Sequence, residues 1–231
     1  MSKFKISIER LSPKENMEKD LSLFLKCEED SSLSYLRIYG WVKPAVTVGF
    51  LKDIDKILNV QKAKDNGIEI VKRATGGGIV FHQTSDITYS FITAKDDPLL
   101  PKGLIPSCNF ISQGVVNALK LLGVEASLSG RKLDRKESSA DLCFSFPAEY
   151  EVLSNGKKIS GGAQRRGRKA FLQQGTIFVS KIPKEFAEIL EDAKDFQIDK
   201  FTTVEEALGR MPTFEELSEA LRDGFRGMGV K

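Results

Sequence analysis

Three successive glycines are the feature that most constrains what this chain can fold into. Gly76, Gly77 and Gly78 follow the basic pair Lys72-Arg73 and lie between two apolar runs. Glycine adopts positive φ without strain and leaves backbone N–H groups uncovered, so such a loop can bind a phosphate or a carboxylate. A second segment, residues 156–164, again combines small residues with a cation. The two segments predict one polar site built from both.

The composition is that of an ordinary soluble globular chain, with 231 residues, 41% hydrophobic and 29% charged. A chain of this size buries roughly 70% of its unfolded surface, so it needs neither disulfides nor a metal to fold. The net charge of +3 does not indicate a nucleic-acid partner, and no apolar run is long enough to span a bilayer. Three cysteines and one histidine leave little material for a zinc site and favour a reducing cytoplasm. We therefore expect no tightly bound metal, and magnesium only if it arrives with a nucleotide.

Periodicity and turn residues predict an alternation of strands and helices. Helices are predicted over about residues 16–29, 54–66, 107–122 and 183–194 and from Thr213 onward, the third capped by Ser107 and the last by a capping box with Glu216. Strands are predicted over residues 35–39, 45–48, 68–71, 79–81, 87–92, 149–154, 157–161 and 171–179. The polar segment 129–145 is the candidate for a mobile loop over a site.

The two standard phosphate-binding motifs do not fit. Gly162 and Gly167 come near the spacing of a P-loop, but Arg168 stands where a lysine must follow directly. The triple glycine does not form Gly-x-Gly-x-x-Gly at the start of a helix. It has a predicted strand on each side, which indicates a ligand lying across a sheet.

Four motifs resemble the catalytic domain of lipoate-protein ligases, octanoyltransferases and biotin-protein ligases. They are residues 72–82, 86–91, 157–164 and 174–176, and the match runs from about residue 15 to 180. The resemblance implies an α/β (α+β) fold, a mixed, mainly antiparallel sheet backed by helices, of the biotin/lipoate ligase type. We expect a catalytic domain over residues 1–182 and a helical C-terminal extension over 183–231 packed on it.

The same resemblance implies that a medium-chain acid lies in an apolar slot beneath the glycine loop. Burying eight carbons at about 0.8 kcal/mol per methylene contributes roughly 5 kcal/mol, and Ile79, Val80 and Phe91 could form the walls. Backbone N–H groups of the loop and Arg73 would hold the acyl phosphate of an adenylate. The predicted binding residues are Arg73, Thr75, Gly76, Gly77, Gly78, Val80, His82, Ser160, Gly161, Ala163, Gly175 and Thr176.

Lys158 is the predicted catalytic residue, because its ammonium can stabilise the negative charge that develops as a carbonyl is attacked. A lysine beside glycines is otherwise usually a surface residue. Arg73 could instead pair with a carboxylate on a neighbouring strand. His82 is interpreted as a pocket-lining or hydrogen-bonding residue and not as the base. The basic run 165–169 fits either an adenylate site or a solvated loop.

The resemblance leaves the reaction type open. Our first hypothesis is a lipoate-protein ligase that uses ATP and Mg²⁺ to activate lipoate or octanoate, then passes the acyl group to the target lysine of a lipoyl carrier domain. The second is an octanoyltransferase that takes octanoate from acyl carrier protein onto Cys143, which stands where cysteine-type octanoyltransferases have their nucleophile. Lys158 could lower the pKa of that thiol, although such a cysteine can also be a buried small residue. A third hypothesis is a non-catalytic lipoyl-binding module.

Two departures from the family pattern bear on this choice. Gln173-Gln174 stands where many relatives have two histidines, and a glutamine cannot titrate. The chain stops at Lys231 without the accessory domain of larger ligases, which fits a compact ligase, a ligase with a separate accessory subunit, or a transferase. The expected carriers are the lipoyl domains of 2-oxoacid dehydrogenases or the H protein of glycine cleavage.

Overall fold

A computed structural model describes residues 3–130, 149–191 and 198–231. The strands are β1 Phe4–Leu11, β2 Ser34–Trp41, β3 Ala45–Val48, β4 Glu69–Lys72, β5 Ile79–His82, β6 Ile87–Ala94, β7 Ser127–Leu128, β8 Val152–Ser154, β9 Lys157–Arg166 and β10 Ala170–Ile177. The helices are α1 Pro13–Glu29, α2 Val60–Asp65, α3 Leu104–Leu121, α4 Lys184–Glu188, α5 Val204–Leu208 and α6 Phe214–Arg226, with a 3-10 turn at Ile198–Lys200.

Within the described residues the strands form a large and a small sheet. The large sheet has seven strands in the order β1-β2-β6-β10-β9-β8-β7, and the small one has three in the order β4-β3-β5. The β1–β2 and β3–β4 pairs are parallel, and the other pairs are antiparallel. The predicted fold class, a mixed and mainly antiparallel sheet with helices, is confirmed.

The main core lies between the large sheet and the helices α3 and α6. It includes buried residues of both sheet and helices, among them Leu36, Phe91, Val115, Leu221 and Phe225. Residues of the C-terminal segment therefore belong to the same core as the central strands. A second apolar cluster lies at the small sheet, with Val46, Phe81, Phe178, Phe186 and Phe201.

Several predicted elements differ from the structure. Ser107 does not cap α3, which begins at Leu104; its hydroxyl donates to the carbonyl of Gly103, four residues back, at 2.7 Å. The predicted helix over 54–66 is confined to α2, because the backbone of residues 57–59 bonds to the α4 region instead, through Asn59 N–Ile189 O at 2.8 Å and Glu191 N–Ile57 O at 3.0 Å.

Three other predicted segments are shorter than expected or only partly described. The strand predicted over 149–154 begins at Val152, after a turn. Of the helix predicted over 183–194, α4 covers Lys184–Glu188 and residues 192–194 lie outside the described part. Most of the predicted loop 129–145 also lies outside the described residues.

Two glycines allow α3 and α6 to approach closely. A Cβ at Gly224 would lie 2.6 Å from the carbonyl oxygen of Gly114 and 2.7 Å from the nitrogen of Ala118. Both atoms belong to the backbone of α3 and cannot move aside as a side chain could. The helices therefore depend on glycine at this crossing.

We predict that Gly224→Ala lowers the free energy of unfolding by about 2 kcal/mol, because the added methyl forces the two helices apart. The matched control is Gly227→Ala at the end of α6, where the nearest atoms to a new Cβ are 3.6 and 3.7 Å away. Urea unfolding followed by circular dichroism measures both. Equal stability of the two variants would contradict the tight crossing.

Candidate active site

The structure brings the two glycine-containing segments together. Gly76 N approaches the carbonyl oxygen of Gln164 on β9 at 3.5 Å, and Arg165 on the same strand donates to the carbonyl of Ala74 at 3.3 Å. The loop between β4 and β5, residues 73–78, thus lies against β9 and is called the glycine loop below. The glycine loop and β9 therefore belong to one region of the molecule.

The residue after β3 fixes the conformation of the glycine loop. Gly49 N donates to Gly78 O at 3.0 Å, and Phe50 N donates to Thr75 O at 3.0 Å. A Cβ at Gly49 would lie 1.9 Å from the carbonyl oxygen of Gly77, whose φ is +86°. Only glycine allows this approach, and the left-handed φ of Gly77 suits a residue without a side chain.

The buried side chain of Arg73 also stabilises the glycine loop. Its side chain is 5% exposed, and its guanidinium donates to Thr47 O at 3.0 Å and to Gly76 O at 2.7 Å. These bonds join the loop to the small sheet. Binding of an acyl phosphate by Arg73 and by the N–H groups of Gly76, Gly77 and Gly78 stays a prediction.

Thr75 is connected to the first helix through Gln174. The Thr75 hydroxyl donates to Gln174 Oε1 at 2.8 Å, and Gln174 Nε2 donates to Asp20 at 2.6 Å. Because a carboxylate only accepts, it fixes which end of the Gln174 amide faces Thr75. The amide oxygen therefore accepts the hydrogen bond from the Thr75 hydroxyl. The Thr75 hydroxyl thus donates to another side chain of the protein.

Asp20 is fully buried and accepts from several strands at once. Besides Gln174, three side chains donate to the Asp20 carboxylate. They are Arg37, in a buried ion pair, Tyr39 at 2.8 Å and Ser90 at 2.5 Å. Burial and the adjacent carboxylate raise the pKa of Tyr39 well above its ordinary value, which keeps the phenol protonated as a donor. Gln174 is thus the link between this buried cluster and the glycine loop.

Lys158 is a buried cation with a carboxylate partner. Its ammonium lies 2.5 Å from Glu151 Oε1, and the two side chains are 4% and 8% exposed. The backbone is held as well, since Thr202 N donates to Lys158 O at 3.0 Å. An ammonium held in this way can donate a hydrogen bond to a developing oxyanion.

A bulge in β9 brings Lys158 over Gly161. Val152 and Leu153 on β8 pair with Ser160 and Lys158, which leaves Ile159 as an extra residue. A Cβ at Gly161 would lie 2.7 Å from Lys158 Cε and 3.0 Å from Glu151 Oε1. Gly161 therefore leaves room for the ion pair.

Gln164, which touches the glycine loop, lies three positions after Gly161 along β9. Three residues of extended strand span about 10 Å. The ammonium and the glycine loop therefore lie along one strand, at a separation that a small bound group can bridge.

Glu151 was not among the predicted site residues. The signal that could have found it is Asn155-Gly156, a pair typical of two-residue hairpins, and both residues have positive φ, 49° and 74°. The hairpin pairs β8 with β9 and returns Glu151 to the neighbourhood of Gly161. Recognising that hairpin would have placed the carboxylate beside the lysine.

His82 lies in a buried polar cluster between the sheets. It is 2% exposed, stacks on Trp41 with ring centroids 4.0 Å apart, and bonds Thr47 Oγ1 at 2.9 Å. Burial, and less strongly the Arg73 guanidinium, lowers the pKa of His82 well below its ordinary value. The imidazole is therefore neutral near pH 7, in a hydrogen-bonded position.

The remaining predicted binding residues line the paired strands. Ser160 donates to Thr176 O at 2.7 Å, and the Thr176 hydroxyl lies 3.5 Å from His82 Nδ1. A Cβ at Gly175 would lie 2.4 Å from the Tyr89 ring, so this glycine makes room for a tyrosine. Ala163 pairs with Gln174 in the sheet and Val80 packs, half-buried, at the second core cluster.

Two of the three cysteines are excluded as nucleophiles. Cys27 and Cys108 are buried, and burial raises the pKa of the Cys27 thiol to about 11 and that of Cys108 to about 12. Neither forms a useful thiolate near pH 7. Cys143, the predicted nucleophile, lies outside the described residues.

The described ranges contain neither a candidate metal site nor a candidate membrane-spanning helix. No group of three or more His, Cys, Asp or Glu side chains there could hold a metal ion. None of the helices that the structure describes is long and apolar enough to cross a membrane.

Comparisons with known proteins identify the family of this chain. A family model described as the lipoyl protein ligase A/B catalytic domain matches residues 12–226. Octanoyltransferase LipM of Geobacillus kaustophilus is 31% identical over 235 residues, which cover 94% of this chain and 83% of that protein.

Two solved structures have a similar fold. A lipoate-protein ligase A bound with ATP superposes with a TM-score of 0.79 at 20% identity, over 98% of this chain and 85% of that one. A structure described as a bi-partite lipoate protein ligase and its E2 lipoyl domain, from Thermoplasma acidophilum, gives 0.75 at 20% identity, over 99% of this chain and 84% of that one. At these identities the likeness is one of fold.

We predict that the neutral state of His82 makes stability depend on pH. The unfolded chain protonates this histidine below about pH 6.5, whereas the folded protein keeps it neutral. The free energy of unfolding contributed by His82 is therefore fully present above pH 6.5 and is lost as the pH falls. Between pH 7.5 and 5.5 the loss is about 1.4 kcal/mol.

His82→Gln isolates this contribution, because every other titrating group is common to both proteins. Urea unfolding at pH 7.5 and 5.5 should show a pH difference in the wild type that exceeds that of the variant by about 1.4 kcal/mol. The same pH difference in both proteins would mean that folded His82 takes up a proton.

Proposed function

The chain belongs to the lipoyl protein ligase A/B catalytic-domain family, it is an enzyme of the lipoate ligase or octanoyltransferase type, and we propose that it is a cysteine-dependent octanoyltransferase. In this proposal it takes an octanoyl group from a thioester on acyl carrier protein and transfers it to the target lysine of a lipoyl carrier domain. Cys143 is the nucleophile and Lys158 stabilises the oxyanion.

The observation that carries the proposal is the relationship to octanoyltransferase LipM across 94% of the chain at 31% identity. On this ground we propose octanoyl transfer ahead of the ATP-dependent ligation that the sequence alone put first. The ATP-bound ligase is a more distant relative, at 20% identity. The raised pKa values of Cys27 and Cys108 further support Cys143 as the thiol that reacts.

The reaction has two acyl transfers that share one oxyanion position. In the first, the Cys143 thiol loses its proton and attacks the octanoyl carbonyl as a thiolate, a new C–S bond forms, the C–S bond to the donor breaks, and the departing donor thiolate takes up a proton. In the second, the neutral amine of the carrier lysine attacks the acyl-cysteine. The C–N bond forms, the C–S bond breaks, and the proton lost by the amine restores the Cys143 thiol. No ATP is consumed in either step.

Lys158 and Glu151 supply the electrostatic part of this mechanism. Each attack places negative charge on the carbonyl oxygen, and a preorganised ammonium in a buried site stabilises that charge strongly. Glu151 is a positioning residue that holds the ammonium over Gly161. The glycine loop, braced by Arg73 and Thr75, forms the other side of the site.

We predict that the purified protein transfers octanoate from octanoyl-acyl carrier protein to an apo-lipoyl domain without ATP. Intact mass should show the octanoyl adduct on the lipoyl domain and, without acceptor, an acyl-enzyme that hydroxylamine removes. Cys143→Ala should form neither product. The matched control is Cys108→Ala, which removes a buried thiol and should retain the acyl-enzyme.

The competing ligase hypothesis gives the opposite pattern in this assay. Free octanoate or lipoate would be attached only with ATP and Mg²⁺, and Cys143→Ala would retain most of the activity. That result would replace the transferase proposal with the ligase.

We also predict a specific effect of Glu151→Gln. Glutamine retains the shape of this side chain but cannot hold the ammonium over Gly161 by an ion pair, so transfer should fall at least about tenfold. Quenched assays measure kcat and KM separately, and the loss should lie in kcat while KM changes little, as expected for an interaction made in the transition state.

The control for Glu151→Gln is Glu125→Gln, which removes an exposed carboxylate. Glu151→Asp, which retains the charge, should restore part of the activity. An equal loss in Glu151→Asp, or a loss that lies in KM and not in kcat, would contradict the positioning role of Glu151.

A further inference from the structure

An exposed apolar turn projects from the edge of the glycine loop. Gly49 to Lys52 form a turn closed by Lys52 N–Gly49 O at 3.0 Å, and its two central residues are Phe50, 56% exposed, and Leu51, 87% exposed. Leu51 is the most exposed large hydrophobic side chain among the residues that the structure describes. Adjacent exposed apolar side chains of this kind mark an interaction surface when they lie beside a functional site.

The turn is attached to the glycine loop by two backbone hydrogen bonds. The bonds Gly49 N–Gly78 O and Phe50 N–Thr75 O, both 3.0 Å, attach its first two residues to that loop. Whatever macromolecule brings a reacting group to the glycine loop therefore meets Phe50 and Leu51 at its edge.

Positive charge lies directly beside this turn. Arg165 stacks between two rings, with its guanidinium 4.9 Å from the Phe24 centroid and 5.5 Å from that of Phe50. Arg168 and Lys169 follow in the exposed β9–β10 turn. The carboxylate of Glu28 on α1 lies against this turn and accepts hydrogen bonds from the backbone N–H groups of Lys169 and Ala170.

Phe50, Leu51, Arg165, Arg168 and Lys169 are together called the loop-edge patch. It combines an apolar centre with three cations, and Arg166 is not part of it because its side chain turns to Gly103 and Ser107. A surface of this composition complements a partner with an apolar spot rimmed by carboxylates.

The reach of the acceptor lysine decides which partner uses this patch. A lysine side chain extends roughly 6 Å from its backbone, so the acceptor domain must touch the enzyme at the mouth of the site. A donor that carries its acyl thioester on a long flexible arm can remain further away. The loop-edge patch, joined to the glycine loop by backbone bonds, lies where the acceptor has to dock.

We propose that the loop-edge patch is the docking surface for the acceptor carrier domain, which binds it through an acidic surface next to the target lysine. This inference rests on the proposed transfer to a carrier lysine. It adds a role for residues that have no part in the chemistry.

Two variants test the surface separately from the chemistry. Phe50→Ser/Leu51→Ser removes the apolar centre, and Arg168→Glu/Lys169→Glu reverses two cations. The matched controls are Leu121→Ser, 64% exposed on α3, and Lys64→Glu, exposed on α2. Circular dichroism establishes that each variant is folded.

The first readout is transfer from the acylated enzyme to an apo-lipoyl domain, with its KM and kcat. Both patch variants should raise KM at least about tenfold with kcat within about twofold, as expected for lost binding in ground and transition states alike. The charge-reversal variant should also lose the salt dependence of KM. Acyl-enzyme formation from octanoyl-acyl carrier protein should stay within about twofold of the wild type.

Other outcomes overturn the proposal. An unchanged KM would remove the patch from acceptor binding, and a defect confined to acyl-enzyme formation would assign it to the donor. If the wild type forms no acyl-enzyme, the proposed function fails, but titration of ¹⁵N-labelled apo-lipoyl domain with the enzyme still reads docking directly. Binding that is weakened in the patch variants and unchanged in the controls would then retain the surface.

Discussion

The buried carboxylate of Asp20 joins the first helix to the glycine loop. It accepts hydrogen bonds from β2, β6 and β10, and through Gln174 it reaches Thr75. An unpaired charge in this position would be strongly destabilising, so all its partners must be in place together. The loop therefore has the rigidity of the core beneath it, which a site needs if its backbone N–H groups are to be preorganised.

The need for preorganised donors also explains the arrangement around Lys158. Lys158 lies at an irregularity in β9, where the extra residue Ile159 allows its side chain to reach over Gly161 toward Glu151. A regular strand would alternate Lys158 and Gly161 onto opposite faces. The bulge, the missing Cβ and the hairpin that returns Glu151 are thus three parts of one arrangement that holds a charged ammonium inside the protein.

Local sequence patterns were sufficient to predict the strands and the loop of the site. They did not predict the hydrogen bonds that join these elements. Three glycines between two β-branched runs predicted a loop with a strand on each side, because both signals are contained in ten residues. The alternation in Phe4–Leu11 also marks β1 and was overlooked. The role of Gln174 depends on a carboxylate 154 residues away in sequence, and no local pattern carries that information. Ser107 was misassigned because a serine near a helix start can cap it or bond back to a carbonyl four residues earlier.

Two side chains of the glycine loop donate hydrogen bonds to other groups of the protein. This bears on the choice between a phosphorylated acyl donor and a neutral thioester. An acyl-adenylate carries a phosphate anion that needs side-chain donors as well as backbone N–H groups. Here the Thr75 hydroxyl donates to Gln174, and the Arg73 guanidinium donates to carbonyl oxygens of Thr47 and Gly76. A thioester has no such anion and needs only one strong donor at its carbonyl oxygen, which Lys158 can be. This inward bonding supports the proposed transfer from a neutral acyl thioester.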